Sequence, residues 1–108
     1  MKIKIPSTVS LAKRAGKITS GESGVKEAIR QGTAHLVLLA EDVGPNTLKS
    51  ITDSCAYYNV KYISFGTKEE LGHAIGKGFA AAIAICDTGF AASIEKAITA
   101  NINGGEVL

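Results

Sequence analysis

Residues 21–42 read GESGVKEAIRQGTAHLVLLAED, and their hydrophobic period changes once. Val25, Ala28 and Ile29 recur at the i, i+3, i+4 spacing of one helical face, and Gly32 supplies a helix stop. Leu36 to Ala40 is then an uninterrupted apolar run closed by Glu41-Asp42, the pattern of a strand buried on both faces. A helix that feeds a strand covered on both sides predicts an α/β fold, with helices above and below a sheet.

Upstream, Ser7 is expected to cap a first helix from Thr8 to about Ala15, with Val9, Ala12 and Leu11 turned inward and Lys13-Arg14 outward. Gly16 ends it, and Lys17 to Ser20 is β-prone. Downstream, Gly44-Pro45-Asn46 opens a helix whose apolar face holds Leu48, Ile51, Cys55 and Tyr58, and Asn59 closes it. Val60 to Phe65 alternates and predicts a strand, and Thr67 with Glu70 forms a capping box for a helix that buries Leu71, Ala74 and Ile75. Gly76-Lys77-Gly78 breaks that helix, and Phe79 to Cys86 predicts a buried strand. Asp87-Thr88 caps a last helix, Gly89 to about Ala100, burying Phe90, Ile94, Ala97 and Ile98. The expectation is one domain over residues 1–100 and a flexible tail over 101–108. Its fold is a three-layer α/β/α sandwich around a small mixed sheet of about four strands, with right-handed crossovers where strands run parallel.

Composition agrees. The chain has 108 residues, 45% of them apolar and 20% charged, with fifteen alanines but only 6% aromatics. That length buries a core without disulfides or metal, and so much alanine points to helices pressed closely on a sheet, at Ala80, Ala81, Ala82 and Ala84 and at Ala91, Ala92 and Ala97. The longest apolar stretch, Phe79 to Cys86, is far short of the roughly 20 residues that span a bilayer. With no secretory pattern behind Lys2 and Lys4, a cytoplasmic protein without membrane contact is expected. Cys55 and Cys86 lie among apolar neighbours and read as small buried thiols.

Reactive chemistry is sparse, so no enzyme, cofactor or metal is expected. His35 and His73 have no partner at metal-ligand spacing, and no nucleophile-elbow pattern occurs. Gly21-Glu22-Ser23-Gly24 lacks the spacing of a phosphate-binding P-loop, and no GxGxxG follows a strand. Charge is more informative. Residues 1–30 hold seven cations against two carboxylates, a net +5, whereas the remainder holds five lysines against eight acids, a net −3. Lys13, Arg14 and Lys17, the helix opening at Gly21 with Lys26 and Arg30, and the loop of Lys77 are expected to share one edge. Cations and free helix-terminal amides there suit a polyanion. RNA phosphates need no more. With Tyr57, Tyr58 and Tyr62 in or near predicted core elements, a stacking platform for single-stranded bases is not expected.

The run from Gly21 to Asp42 resembles the kink-turn-binding ribosomal-protein superfamily, in particular its bacterial YlxQ-like branch. Asn46-Thr47, Thr52-Asp53-Ser54-Cys55, Tyr57-Tyr58-Asn59-Val60, Glu70-Leu71-Gly72, Ile75-Gly76-Lys77 and Asp87-Thr88-Gly89-Phe90 carry the resemblance further, over roughly residues 8 to 98. It implies an α/β/α sandwich that binds structured RNA, with a ribosomal RNA among the expected partners. The start of the second helix would enter a groove widened at tandem sheared G·A pairs, and a mostly apolar loop before the last strand, here Phe79, Ala80 and Ala81, would cover an extruded nucleotide.

The expected site joins the helix opening and loop that the resemblance implies, Gly21, Glu22, Ser23, Gly24 and Glu27 with Lys77, Phe79 and Ala80, to the cations read from the charge pattern, Lys13, Arg14, Lys17, Lys26 and Arg30. The family pattern after the opening glycine is an amide or similar polar residue, then Glu or Gln, then Lys three positions later. This chain has Ser23, Gly24 and Glu27 at those places. Ser23 keeps one hydrogen-bonding group, Gly24 keeps none, and Glu27 sets a carboxylate where a lysine would meet guanine and phosphate. Lys26 points about 100° away from Glu27 around the helix and does not replace that lysine. Two readings therefore stand: a structured-RNA binder, and a protein-interaction module on the same fold whose RNA signature has decayed.

Overall fold

Leu36–Leu39 is buried on both faces, and the rest of the fold is arranged around it. The computed structural model describes the backbone of residues 5–107 and the side chains of 5–100. In chain order it comprises α1 (Ser7–Arg14), β1 (Ile18–Ser20), α2 (Glu22–Gln31), β2 (Leu36–Leu39), α3 (Pro45–Tyr58), β3 (Tyr62–Ser64), α4 (Lys68–Ala74), β4 (Ala82–Ile85) and α5 (Thr88–Val107). The strands form one mixed sheet in the order β1-β4-β2-β3. β4 runs antiparallel to both β1 and β2, and β2 and β3 are parallel, joined through α3. This is the expected four-stranded α/β/α sandwich.

Alternation along the two central strands sorts the helices into layers. Leu36, Leu38, Ile83 and Ile85 face a core shared with Val9 and Ala12 of α1, Leu71 and Ile75 near α4, and Ala91, Ile94 and Ile98 of α5. Val37, Leu39, Ala82 and Ala84 face the other core, with Val25, Ala28 and Ile29 of α2 and Ile51 and Cys55 of α3. The two alanines of β4 thus lie on the side where α2 packs against that strand, so small side chains let the helix sit close. Ala92, in contrast, is exposed.

The caps explain most element limits. Pro6 rather than Ser7 precedes α1, its carbonyl accepting the Val9 amide at 3.0 Å, so Ser7 is the first helical residue. Thr67 and Glu70 form the expected capping box, and Asp87 Oδ2 accepts the Phe90 amide at 2.9 Å. α5 is assigned over Thr88–Val107, beyond the expected end near Ala100. The expected tail over 101–108 falls on residues whose side chains lie outside the described set.

Several expected core positions are exposed. α3 has 14 residues, about 21 Å of helix, over strands of three or four residues, at most about 14 Å, so its ends overhang the sheet. Leu48 in its first turn is 43% exposed, and Tyr57 and Tyr58 in its last turn are 82% and 41% exposed. Tyr62 is on the edge strand β3 and also exposed, Leu11 lies outside the narrow Val9–Ala12 seam of α1, and Cys86 is only half-buried. The strand expected over Phe79 to Cys86 is confined to Ala82–Ile85, because the chain before it crosses α4 at Gly72.

Candidate nucleic-acid interface

Three strands end, and β4 begins, at one end of the sheet. Ser20 pairs with Ile83, and Leu39 pairs with both Ala82 and Ser64. From that end α2, α3 and α4 depart, and the loop after α4 arrives. Gly21 makes the turn into α2 with φ 87° and ψ 155°, a left-handed backbone that favours glycine. Its amide donates to the Ala82 carbonyl at 3.1 Å, so the start of α2 is fastened to the end of the loop that carries Lys77 and Phe79. Thr47 Oγ1 donates to Glu22 Oε1 at 3.0 Å and ties the first turns of α2 and α3 together.

The loop is held equally firmly. The Lys77 amide donates to the Gly72 carbonyl at 2.8 Å and the Ala80 amide to the Lys68 carbonyl at 2.9 Å. A Cβ at Gly72 would stand 2.3 Å from Phe79 Cα, so the loop backbone rests directly on α4. Phe79 is 69% exposed next to Ala80, which is 4% exposed and part of the core. Of the three apolar loop residues expected to cover a nucleotide, Phe79 is exposed, Ala81 half-buried and Ala80 buried, so Ala80 is not available at the surface.

On α2, Ser23 is exposed and Lys26 half-buried. Gly24 is packed on β1: a Cβ there would lie 2.8 Å from Thr19 Cγ2. Glu27 Oε2 accepts from Arg30 Nη2 at 2.5 Å and from Gln31 Nε2 at 2.6 Å. The Arg30 hydrogen bond and charge, with the Gln31 bond, hold the Glu27 carboxyl below the usual carboxylate range, and Glu27 raises the Arg30 guanidinium in return. The carboxylate that stands in place of a lysine is thus drawn toward the far end of its helix.

Lys13, Arg14 and Lys17 are not part of this surface. α1 packs in the layer with α4 and α5, across the sheet from α2. The Lys17 carbonyl accepts the Cys86 amide at 2.8 Å, at the opposite end of β4 from the Gly21–Ala82 bond. The net positive first thirty residues are therefore divided between two ends and two faces of the sheet rather than gathered on one edge. What the sequence reading missed is aromatic: Tyr57, Tyr58 and Tyr62 are on the surface. The overhang that exposes Tyr57 and Tyr58 follows from strands shorter than the apolar runs predict, and the sequence carries no local signal for it.

His35 and His73 are exposed, and among the described residues no three His, Cys, Asp or Glu side chains come together as metal ligands. No helix among them is long and apolar enough to cross a membrane.

Comparison with known proteins decides the lineage. Residues 3–95 match the model of the ribosomal protein L7Ae/L30e/S12e/Gadd45 family. The chain belongs to this family. Over 83 residues, 77% of this chain and 83% of the relative, it is 46% identical to the RNA-binding protein YlxQ of Bacillus subtilis (strain 168). It is 34% identical over 95 residues to the RNA-binding protein YlxQ of Enterococcus faecium, covering 88% of this chain and 91% of that one. A solved structure of a protein with unknown function from Bacillus halodurans C superposes with a TM-score of 0.80 at 34% identity, covering 83% of this chain and 91% of that one. Within the L7Ae family the chain lies in the bacterial YlxQ-like branch, and the family is one of ribosomal-type proteins rather than enzymes.

Proposed function

We propose that this chain binds structured RNA of the kink-turn type at the sheet end where α2 begins, in the cytoplasm, with a ribosomal RNA as the natural class of partner. The observation that carries the reading is the Gly21–Ala82 bond, which joins the opening of α2 to the Phe79 loop as one surface. The first-turn amides of α2 have no intrahelical acceptor and suit a phosphate, the Ser23 hydroxyl suits a guanine edge, and Phe79 offers an apolar cover for an extruded base. Lys26 and Lys77 supply cations. The names of the YlxQ relatives support the same reading. Filter binding at low salt tests it: a kink-turn RNA is expected to bind more tightly than a plain duplex of equal length, and equal affinity for the two rejects the specific claim.

Gly24 and Glu27 favour a second reading, a protein-interaction module on the same fold. Its signature is a protein partner that survives nuclease in a pull-down, and loss of every partner after nuclease rejects it.

A further inference from the structure

α2 and α3 do not close completely on one another where they run side by side. Between them is a groove of about 390 Å³, walled by Glu22, Ser23, Lys26, Glu27 and Arg30 on one side and by Ser54 and Tyr58 on the other. That volume is at the small end of the roughly 300 to 1,000 Å³ of ligand pockets, a size for one flat group rather than for a helix. Tyr58 is 41% exposed there, and its ring meets that of Tyr57 edge to face, centroids 4.8 Å apart at 74°. A flat, partly exposed aromatic ring has only two side-chain torsions to order when another ring stacks on it.

The charges sort themselves by occupancy. Glu22 accepts from Thr47, and Glu27 accepts from Arg30 and Gln31, so both carboxylates of the groove are already hydrogen-bonded. Lys26 forms no ion pair among the described residues. A groove that offers one partly exposed aromatic ring, one unpaired ammonium group and two serine hydroxyls fits a nucleobase joined to a phosphate. Its position adds direction. Ser23 and Lys26 belong both to the opening of α2 and to the groove, and Arg30 is roughly 14 Å along the helix from Gly21.

We propose that this groove is a second RNA contact, a seat for an unpaired nucleotide that leaves the structured element and runs along α2, with Tyr58 stacking on the base and Lys26 meeting the phosphate. The inference rests on the RNA-binding reading above and extends it from paired to single-stranded RNA. It also reverses the expectation that the chain has no stacking platform.

The test uses the full chain, as wild type, Tyr58→Phe and Tyr58→Ala, with a blunt kink-turn RNA and with the same RNA carrying about three unpaired nucleotides at either end in turn. One extension is expected to tighten wild-type binding about tenfold, with Tyr58→Phe keeping that gain and Tyr58→Ala losing it while blunt-RNA affinity stays within about twofold. No gain from either extension, or an equal loss by Tyr58→Ala on blunt and extended RNA, overturns the inference. A short single-stranded oligoadenylate, titrated against the wild-type chain, separates this inference from the kink-turn reading. Amide shifts at Lys26, Arg30, Ser54 and Tyr58 support the groove even where blunt kink-turn RNA fails to bind, and shifts absent from these residues overturn it.

Discussion

Arg30 donates from Nη2 to Glu27 Oε2 at 2.5 Å, one turn apart on the exposed side of α2. The same oxygen takes the Gln31 amide, so two side chains nearer the C-terminus of the helix draw the carboxylate away from its opening. A negative charge at that opening would oppose a phosphate, and the pairing reduces the opposition. It also occupies Arg30, the one guanidinium on this helix. The pair therefore trades a cation for the neutralisation of an anion.

Glu27→Lys should undo that trade. The substitution places a cation where the family pattern has one and releases Arg30 from its partner. Affinity for kink-turn RNA is expected to rise about tenfold, and the dependence of log K on log salt to steepen by about one to two, one for each further phosphate neutralised. Filter binding across a salt series reads both quantities. Unchanged affinity with an unchanged slope would mean that Glu27 does not face the RNA.

Gly72→Ala should dislodge the loop that carries Phe79. The added methyl group would meet Phe79 Cα at 2.3 Å, Phe79 N at 2.6 Å and its carbonyl carbon at 2.7 Å, all backbone atoms that cannot rotate aside. Overpacking of this kind costs about 1–3 kcal/mol or more. For a domain of this size each kcal/mol corresponds to a fall in Tm of roughly 4–8 °C. A thermal melt checks the loss, and a Tm within about a degree of wild type would show that the loop is free to move off α4.

How much of this was legible depended on whether one segment or several decided the outcome. Leu36–Leu39, Gly32, Thr67 with Glu70 and Pro45 each carry their own instruction, so helices, strands and caps could be read locally. The start of α2 was found for the same reason, whereas the local pattern ended the loop at Gly78 and put Phe79 in a strand, and only the family resemblance placed Phe79 in a loop. Burial of Tyr58 and Leu48 depends instead on how far the sheet extends beneath α3, which no local spacing encodes. Grouping Lys13 with Lys26 failed similarly, because adjacency in sequence says nothing about which side of the sheet a helix takes. Glu27's partners were within reach, since Arg30 and Gln31 are at the i+3 and i+4 positions of the same helix.

Cys55 should be unreactive and should make stability fall at alkaline pH. Burial raises its thiol from 9.0 to about 11. Between those values the unfolded chain has lost the proton and the folded chain keeps it, so unfolding releases a proton. Stability then falls by about 1.4 kcal/mol per pH unit from pH 9 towards 11, with no contribution from this group below pH 8. Urea melts of wild type and Cys55→Ala at pH 8 and pH 10.5 isolate the effect, because other groups titrate alike in both. Equal pH dependence in the two proteins would contradict it. Brief alkylation at pH 8 should label the half-buried Cys86 and leave Cys55 untouched.

Gly24 and Thr19 should behave as one unit. Alanine in place of glycine within a helix ordinarily gains up to about 1 kcal/mol. Here the new Cβ would lie 2.8 Å from Thr19 Cγ2, on a β-branched side chain whose rotation is restricted by its strand. Gly24→Ala alone is therefore expected to leave Tm unchanged or lower it. Thr19→Ser removes the obstructing methyl group, and on that background Gly24→Ala should recover about 0.5–1 kcal/mol, so the double-mutant cycle should depart from additivity by at least about 0.5 kcal/mol. Additive melts would show that Thr19 yields freely. The coupling also governs any attempt to restore the family's Glu or Gln at this position: with Thr19 in place the larger side chain meets the same methyl group, so Gly24→Gln should fold as stably as wild type only when paired with Thr19→Ser.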